Sequence, residues 1–288
     1  ECLESREVAC HCQLPCGHAC SGVVGEERCF GCLTPGCDSR VPKEIADEEE
    51  SCCICIGAIG SKPLVKLEGC QHVVHYECVR DQIKAKWGGT RITFTHLNCP
   101  LCRTRMQHPC LREEMKADVD LEKRIMDMSL MRLKYEDKDK DDEITTEGSE
   151  YFGKPQEFAM HIYQYFLCAK CGQPYFGGNV ECGAAGGRDI DPSELVCGVC
   201  SAPSDARCTA DPPHDQQWLE WKCRFCCSVA TFFCFGTTHF CTPCHTKLDY
   251  KNAAPCRGKD HCPLKVDHKP HGEESCIGCG QCRMLRQF

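Results

Sequence analysis

The chain has 288 residues, 33 of them cysteine and 13 histidine, with 8% aromatic side chains and a formal net charge of -8. A mean hydropathy of -0.40 with so few aromatic residues excludes one large apolar core, and no apolar run is long enough to cross a bilayer. The acidic balance gives no general attraction to phosphate backbones and disfavours nucleic acid as a partner.

Folding must therefore draw on something besides apolar burial. Most cysteines fall in C-x2-C pairs such as Cys52/Cys55, Cys99/Cys102, Cys168/Cys171, Cys197/Cys200, Cys223/Cys226 and Cys241/Cys244. Two intervening residues let one tight turn aim both sulfurs at a single metal, so the pairs read as tetrahedral zinc clamps. Each structural zinc contributes on the order of 10 kcal/mol or more to folding. Disulfides are the competing use, but the odd cysteine count, the interleaved histidines and the lack of an apolar signal segment all oppose it. The expected compartment is reducing, cytosol or nucleus, and the missing initiator Met suggests a piece of something longer. The expected fold class is a set of small zinc-stabilised α+β modules.

In chain order, residues 1–42 form a cysteine-rich segment with eight potential ligands, Cys10, Cys12, Cys16, His18, Cys20, Cys29, Cys32 and Cys37, enough for two ions. An acidic run, Lys43 to Ser51, reads as a linker. The next module, 50–108, orders its ligands as Cys52-x2-Cys55, Cys70-x-His72, His75-x2-Cys78 and Cys99-x2-Cys102. This order resembles the RING finger in its two-histidine form. The resemblance implies a cross-brace in which Cys52, Cys55, His75 and Cys78 hold one zinc while Cys70, His72, Cys99 and Cys102 hold the other. Ile54, Trp87, Pro100 and Leu101 match the positions where RING fingers present an apolar groove to a ubiquitin-conjugating enzyme. Arg103 stands where many RING ligases carry a basic residue that locks the charged enzyme for direct transfer.

Leu111 to Tyr135 lacks Gly and Pro, and Leu121, Ile125, Met128 and Met131 recur at helical spacing, so a connecting helix is predicted. The charged stretch Glu136 to Gly148 reads as a separator, and 109–150 as a linker region. From 151 to 288 comes a third module dense in Cys, His and Gly, where short strands and knuckles around metal are expected. Its ligands tally as Cys168, Cys171, Cys197 and Cys200 for one site. Cys208, His214, Cys223, Cys226, Cys227, Cys241, Cys244, Cys256, Cys262, His268, Cys279 and Cys282 would fill three more, with Cys276 or His239 able to replace Cys227. The expected total is about eight zinc ions.

Cys182 and Cys234 fit none of these pairs. Cys182 lies in a glycine-rich loop, Phe176 to Arg188, anchored at both ends by ligand pairs, where a thiol could swing between partners. Cys234 lies in an apolar strand leading into a Gly turn, where by itself a cysteine is more often a buried structural thiol. His245 directly follows the ligand Cys244, which would hold an imidazole on a rigid element suited to general-base chemistry.

The stretches Pro15-Cys-Gly-His-Ala-Cys20, Arg91-Ile-Thr-Phe94, Tyr175-Phe-Gly-Gly178, Asp191-Pro-Ser-Glu194, Lys222-Cys-Arg-Phe-Cys-Cys-Ser-Val-Ala230 and Phe232-Phe-Cys-Phe-Gly-Thr-Thr-His-Phe-Cys241 closely resemble the catalytic end of the Pam/Highwire family of RING-Cys-relay ubiquitin ligases. The resemblance implies that the RING binds a ubiquitin-charged E2, Cys182 takes ubiquitin as a thioester, Cys234 receives it in a second exchange, and a Thr or Ser hydroxyl of a protein substrate is the final acceptor. By position His245 matches the general base, Glu194 its supporting carboxylate and Phe235 an aromatic beside the downstream thiol. The spacing from Cys182 to Glu194, the extra Cys276, and Lys265 in place of a histidine depart from the family pattern. The alternatives are an ordinary RING ligase passing ubiquitin directly from E2 to lysine, with residues 151–288 recognising substrate, and a non-enzymatic zinc scaffold.

Overall fold

A computed structural model describes residues 8–41, 51–180, 191–201, 208, 214, 218–234, 237–247 and 254–285. Cys182, Phe235 and the acidic run at 43–50 lie outside the described residues. The chain divides into two compact units, Glu1–Gly88 with Thr93–Glu122, and Gly89–Ile92 with Lys123–Phe288.

The first unit begins with a segment held by isolated bridges, Ala9 to Val23, Gln13 to Ala19 and Cys32 to Arg40, instead of by regular ladders. Its ordered part is a hairpin of β1 (Leu64–Lys66) and β2 (Val73–His75), followed directly by α1 (Tyr76–Ala85). The register sets Leu64 opposite His75, so the imidazole leaves the sheet where the helix begins. α1 buries Tyr76, Cys78, Val79 and Ile83, and Gln82 on its flank donates to the carbonyls of His96 and Asn98 at 2.8 and 3.0 Å. Leu97, Met106 and Leu111 complete a small core.

The predicted helix is α2 (Arg112–Tyr135). Glu113 and Glu114 sit in its first turn and Arg132 and Lys134 in its last, charges that complement the helix dipole. Ile125 and Met128 are buried, whereas Leu121 and Met131 are only half-buried and Leu133 takes the final core position. The division between the two compact units falls inside this helix.

In the second unit, α3 (Asp142–Thr145) and α4 (Pro155–Ile162) precede a hairpin of β3 (Tyr163–Leu167) and β4 (Pro174–Asn179). Residues 89–92, which belong to the RING stretch in sequence, fold with this unit. Ile92 donates its N–H to the Tyr165 carbonyl at 2.9 Å, and Arg91 bridges Phe166. The charged stretch after α2 is integrated into the unit and does not act as a separator. Glu136 accepts from the Tyr163 hydroxyl at 2.9 Å, Asp137 pairs with Lys265 at 2.5 Å, and Asp141 caps α3 by accepting from the Glu143 N–H.

There follow α5 (Gly198–Ser201), β5 (Leu219–Trp221), β6 (Phe232–Cys234), β7 (Thr238–Phe240), α6 (Thr242–Lys247), β8 (Cys276–Cys279) and α7 (Gly280–Leu285). β5 pairs antiparallel with β8 and β6 with β7. Phe166, Tyr175, Leu195, Val196, Phe232 and Phe240 form the core together with Cys168, Cys197 and Cys234. Two-stranded ladders of this length are marginal alone, which is why ligand cysteines stand inside the core.

Gly198 makes that packing possible. A Cβ there would collide with the Leu219 carbonyl, so α5 can approach β5 only without a side chain. Gly198→Ala is expected to destabilise the second unit by about 1–3 kcal/mol in urea titrations. Gly60→Ala, where a Cβ meets open space, should change the midpoint by less than about 0.5 kcal/mol.

Candidate transfer site and metal clusters

Ligand atoms within 4.8 Å of one another gather into Cys16/His18/Cys32/Cys37, Cys52/Cys55/His75/Cys78, Cys70/His72/Cys99/Cys102, Cys168/Cys171/Cys197/Cys200 and Cys208/His214/Cys279/Cys282. Cys10, Cys12 and Cys20 surround Cys29. Cys226, Cys241 and Cys244 surround Cys223, and Cys256 and Cys262 lie against Cys227. In the RING stretch the pairs alternate, first with third and second with fourth.

The spacing inside these sets tests whether a metal fits. Four sulfurs 2.3 Å from one ion stand about 3.8 Å apart at tetrahedral corners, and a sulfur and an imidazole nitrogen slightly closer. Cys171 and Cys197 are 3.7 Å apart, Cys226 and Cys244 3.7 Å, and Cys208 and Cys282 3.5 Å. His75 Nδ1 is 3.3 Å from the Cys55 sulfur, and His72 Nδ1 is 3.4 Å from that of Cys99. His75 presents Nδ1 to the cluster because its Nε2–H points at the Ala58 and Ile59 carbonyls, 3.1 and 3.2 Å away, the second contact that orients a ligating imidazole.

The residue after three of the knuckles reverses the chain. Ile56, Arg103 and Gly172 have φ of 60°, 62° and 69°, and each N–H returns to the carbonyl of the pair's first cysteine at 2.8 Å. The turn leaves Ile56 82% and Leu101 58% exposed, with Pro100 and Arg103 exposed beside Leu101 and Ile54 and Trp87 half-buried. Ile56 was missed in sequence because its exposure follows from the left-handed turn and not from its neighbours.

In the second unit, Cys227 keeps its place in a cluster, and neither His239 nor Cys276 replaces it. His268 Nε2 lies 3.6 Å and His271 Nε2 3.3 Å from its sulfur, so His271, three residues beyond His268, is a ligand candidate the tally overlooked. His239 is engaged elsewhere, with Nδ1 2.5 Å from Glu274 and Nε2 2.9 Å from the Ser201 hydroxyl. Cys276 points at the Glu220 carbonyl. Cys53 and Cys110 also stand outside the clusters, which the two-thiol reading overlooked. Burial pushes the Cys53 thiol up to about 11, and Cys110 donates to the Val24 carbonyl at 3.1 Å. Lys222, wholly buried, donates to the Cys223 carbonyl at 2.7 Å and so fixes the first knuckle of its cluster.

Cys234 ends β6 and is buried in the core. Glu194 comes from the turn Pro192–Glu194, whose Asp191 cap accepts the Ser193 N–H at 2.9 Å. That turn is three residues from Cys197, and His245 follows Cys244 in α6, so two metal clusters flank the site. Gln164 holds the start of α6 by donating to Thr242 Oγ1 at 3.2 Å and to the Gly177 carbonyl at 3.1 Å. His245 Nε2 and Glu194 Oε2 are 2.9 Å apart. Phe232 stacks on the imidazole at 4.1 Å and 16°, on the same face of β6 as Cys234, as the period of two requires.

Burial, then the charge of Glu194 and a hydrogen bond to it, push the Cys234 thiol up to about 12. The resting group is therefore a thiol directed at the carboxylate. With Nε2–H donated to Glu194, the His245 acceptor nitrogen is Nδ1. The arrangement can take a proton from a hydroxyl, hold the imidazolium against a carboxylate, and return the proton to sulfur. Phe235 and Cys182 lie outside the described residues.

Over its full length the chain is 40% identical, across 305 aligned residues, to part of the E3 ubiquitin-protein ligase MYCBP2 of Danio rerio, and 40% identical across 312 residues to part of the E3 ubiquitin-protein ligase highwire of Drosophila melanogaster. Along its whole length the chain is thus similar to a part of two ligases of the Pam/Highwire family. It spans 7% of the length of the first relative and 6% of the second. No family model matches it. Among the described residues, no helix is long and apolar enough to cross a membrane.

A pH-dependent reactivity follows from the Cys234 environment. Because its folded value is raised, the unfolded chain ionises first, near the ordinary 9.0, so this group's contribution to stability is complete below pH 9 and declines as pH rises toward 12. Glu194→Gln removes the charge that disfavours thiolate. Peptide mapping after iodoacetamide treatment at pH 8.5 should find Cys234 alkylated several-fold faster in Glu194→Gln than in wild type.

Proposed function

We propose that this chain is the transferring part of an E3 ubiquitin ligase that carries ubiquitin on its own cysteines and delivers it to a hydroxyl. The observation carrying the proposal is the Cys234, Glu194 and His245 constellation, a buried thiol, a carboxylate and an imidazole supported by two metal clusters. The names of its relatives support ligase activity. The RING order of ligands, with Ile56 and Leu101 exposed beside it, supports docking of a charged E2.

Cys182 attacks the E2 thioester carbonyl, the E2 sulfur leaves, and ubiquitin passes to Cys182. Cys234, a thiol at rest, passes its proton to Glu194 as its sulfur attacks the Cys182 thioester carbonyl, and the departing Cys182 sulfur takes that proton. Once the proton has moved, sulfur-to-sulfur exchange rests on positioning. A Thr or Ser hydroxyl is a weaker nucleophile and needs a base. His245 Nδ1 takes its proton while Glu194 steadies the imidazolium, and the ester forms as the Cys234–carbonyl bond breaks. Burial and Glu194 favour the protonated form of the Cys234 sulfur, so as that sulfur departs it takes the proton from His245 and the base is regenerated. We assign zinc to eight four-donor sets and the protein to a reducing compartment, cytosol or nucleus, because the sets require free thiolates. Exposed Arg103 supports a second reading, direct transfer from E2 to lysine.

Gels of the chain incubated with activating enzyme, E2 and ubiquitin separate the readings. The relay predicts a thiol-sensitive ubiquitin adduct that is lost in Cys182→Ser. In His245→Ala the adduct should persist while hydroxylamine-sensitive product falls at least tenfold. Cys234→Ser should stop discharge and leave either the upstream adduct or a stable ester. Equal activity of wild type and all three variants, with no adduct, would establish direct transfer. Native mass spectrometry should count eight zinc ions, and 1,10-phenanthroline should abolish most of the far-ultraviolet circular dichroism signal.

A further inference from the structure

A second site lies in the same unit, on charges that the transfer chemistry does not use. A cavity of about 330 Å³ is walled by Arg132 and Tyr135 from α2, Lys138, Phe176 from β4, Lys265, and Arg283 from α7. Arg132 and Arg283 are 3% and 8% exposed, and both pair with the carboxylate of Glu220, 7% exposed. Two buried cations thus share one buried anion. The Arg132 guanidinium lies 3.8 Å from the centroid of the Phe176 ring, which covers one face but supplies no negative charge.

The remaining acids nearby are already committed. Glu136 accepts from the Tyr163 hydroxyl and from Lys138, each at 2.9 Å. Asp137, largely exposed, pairs with Lys265. The Tyr135 hydroxyl donates to the Leu264 carbonyl at 2.9 Å. Four cations therefore meet three carboxylates around the cavity. Nε and Nη1 of Arg283 are buried with no acceptor among the described residues. Unpaired buried guanidinium donors are costly, and a bidentate oxyanion is the group that matches their planar fork.

We propose that this cavity binds a phosphate group, held by Arg283 and Arg132 with Lys138 and Lys265 at its mouth. The volume falls in the range of small-ligand sites, so it suits a small phosphate monoester as well as the free ion. Thr242 and Pro243, at the start of the helix that carries Cys244 and His245, form part of the wall. An occupant would therefore touch an element of the transfer site, although its binding does not depend on how that site works.

The test uses the metal-loaded chain in chloride buffer, titrated with inorganic phosphate and, separately, with glycerol phosphate, and read by phosphorus NMR line broadening and by thermal midpoint. Saturable binding absent with equal ionic strength of chloride is expected. Arg283→Gln should weaken it at least tenfold and Lys265→Gln several-fold, with zinc content unchanged. Tighter binding of glycerol phosphate than of phosphate would identify a monoester as the source of the group, and the reverse order the free ion. If Arg283→Gln fails to fold, Lys265→Gln and Lys138→Gln decide. No saturable binding to wild type, or binding indifferent to these substitutions, would overturn the proposal and leave the metal–thiolate clusters beside Cys227 and Cys241 as the counter-charge of the arginines.

Discussion

Four-donor Cys/His clusters are the constraint from which the rest of this structure follows. Each joins chain pieces that no ladder connects. Cys168 and Cys171 meet Cys197 and Cys200, and Cys208 and His214 meet Cys279 and Cys282. The strands between them are three to six residues long and pair only two by two. Apolar burial of this extent cannot offset the chain entropy of so many loops, so crosslinks by metal must. The same logic explains cysteines inside the apolar core, where Cys168 and Cys197 pack against Phe166, Leu195 and Phe232.

Clusters that hold loops also hold functional groups. Glu194 and His245 come from a turn and a six-residue helix, elements too small to be rigid alone. Each lies within three residues of a ligand cysteine, and the aromatic stack of Phe232 removes the remaining freedom of the imidazole. A carboxylate, an imidazole and a thiol are thereby kept in register without a large scaffold. Placing Glu194 against both Cys234 and His245 has two effects. It keeps the sulfur protonated at rest and stabilises the imidazolium when a proton arrives.

The same unit keeps a separate charge system on α2, β5 and α7, in which Arg132, Glu220 and Arg283 share one buried environment. Nearby Lys222 and the His239–Glu274–Ser201 chain are hydrogen-bonded and serve the clusters and the β6–β7 hairpin. The contrast is physical. Where partners balance, buried polar groups rigidify the fold, and where they do not, as around Arg283, a ligand is called for.

Much of this was legible from residue order alone. Ligand spacing is a local property, so the alternating pairs of the RING, the Cys168 to Cys200 cluster and the helix ending at Tyr135 could be read before any coordinates. The isolation of Cys234 from those pairs was likewise apparent. Only the tertiary structure decided the rest. His271 joins Cys227 because a loop folds back, residues 89–92 join the second unit because β3 offers a free edge, and the stretch after α2 is tied in through Glu136 and Asp137. The meeting of Glu194 with His245 across 51 residues, and of two arginines with one glutamate, depends on long-range packing that no local periodicity encodes. Sequence thus determined which atoms could bind metal, because that chemistry needs only a turn, while the fold determined which charges face one another, because that needs every element in place.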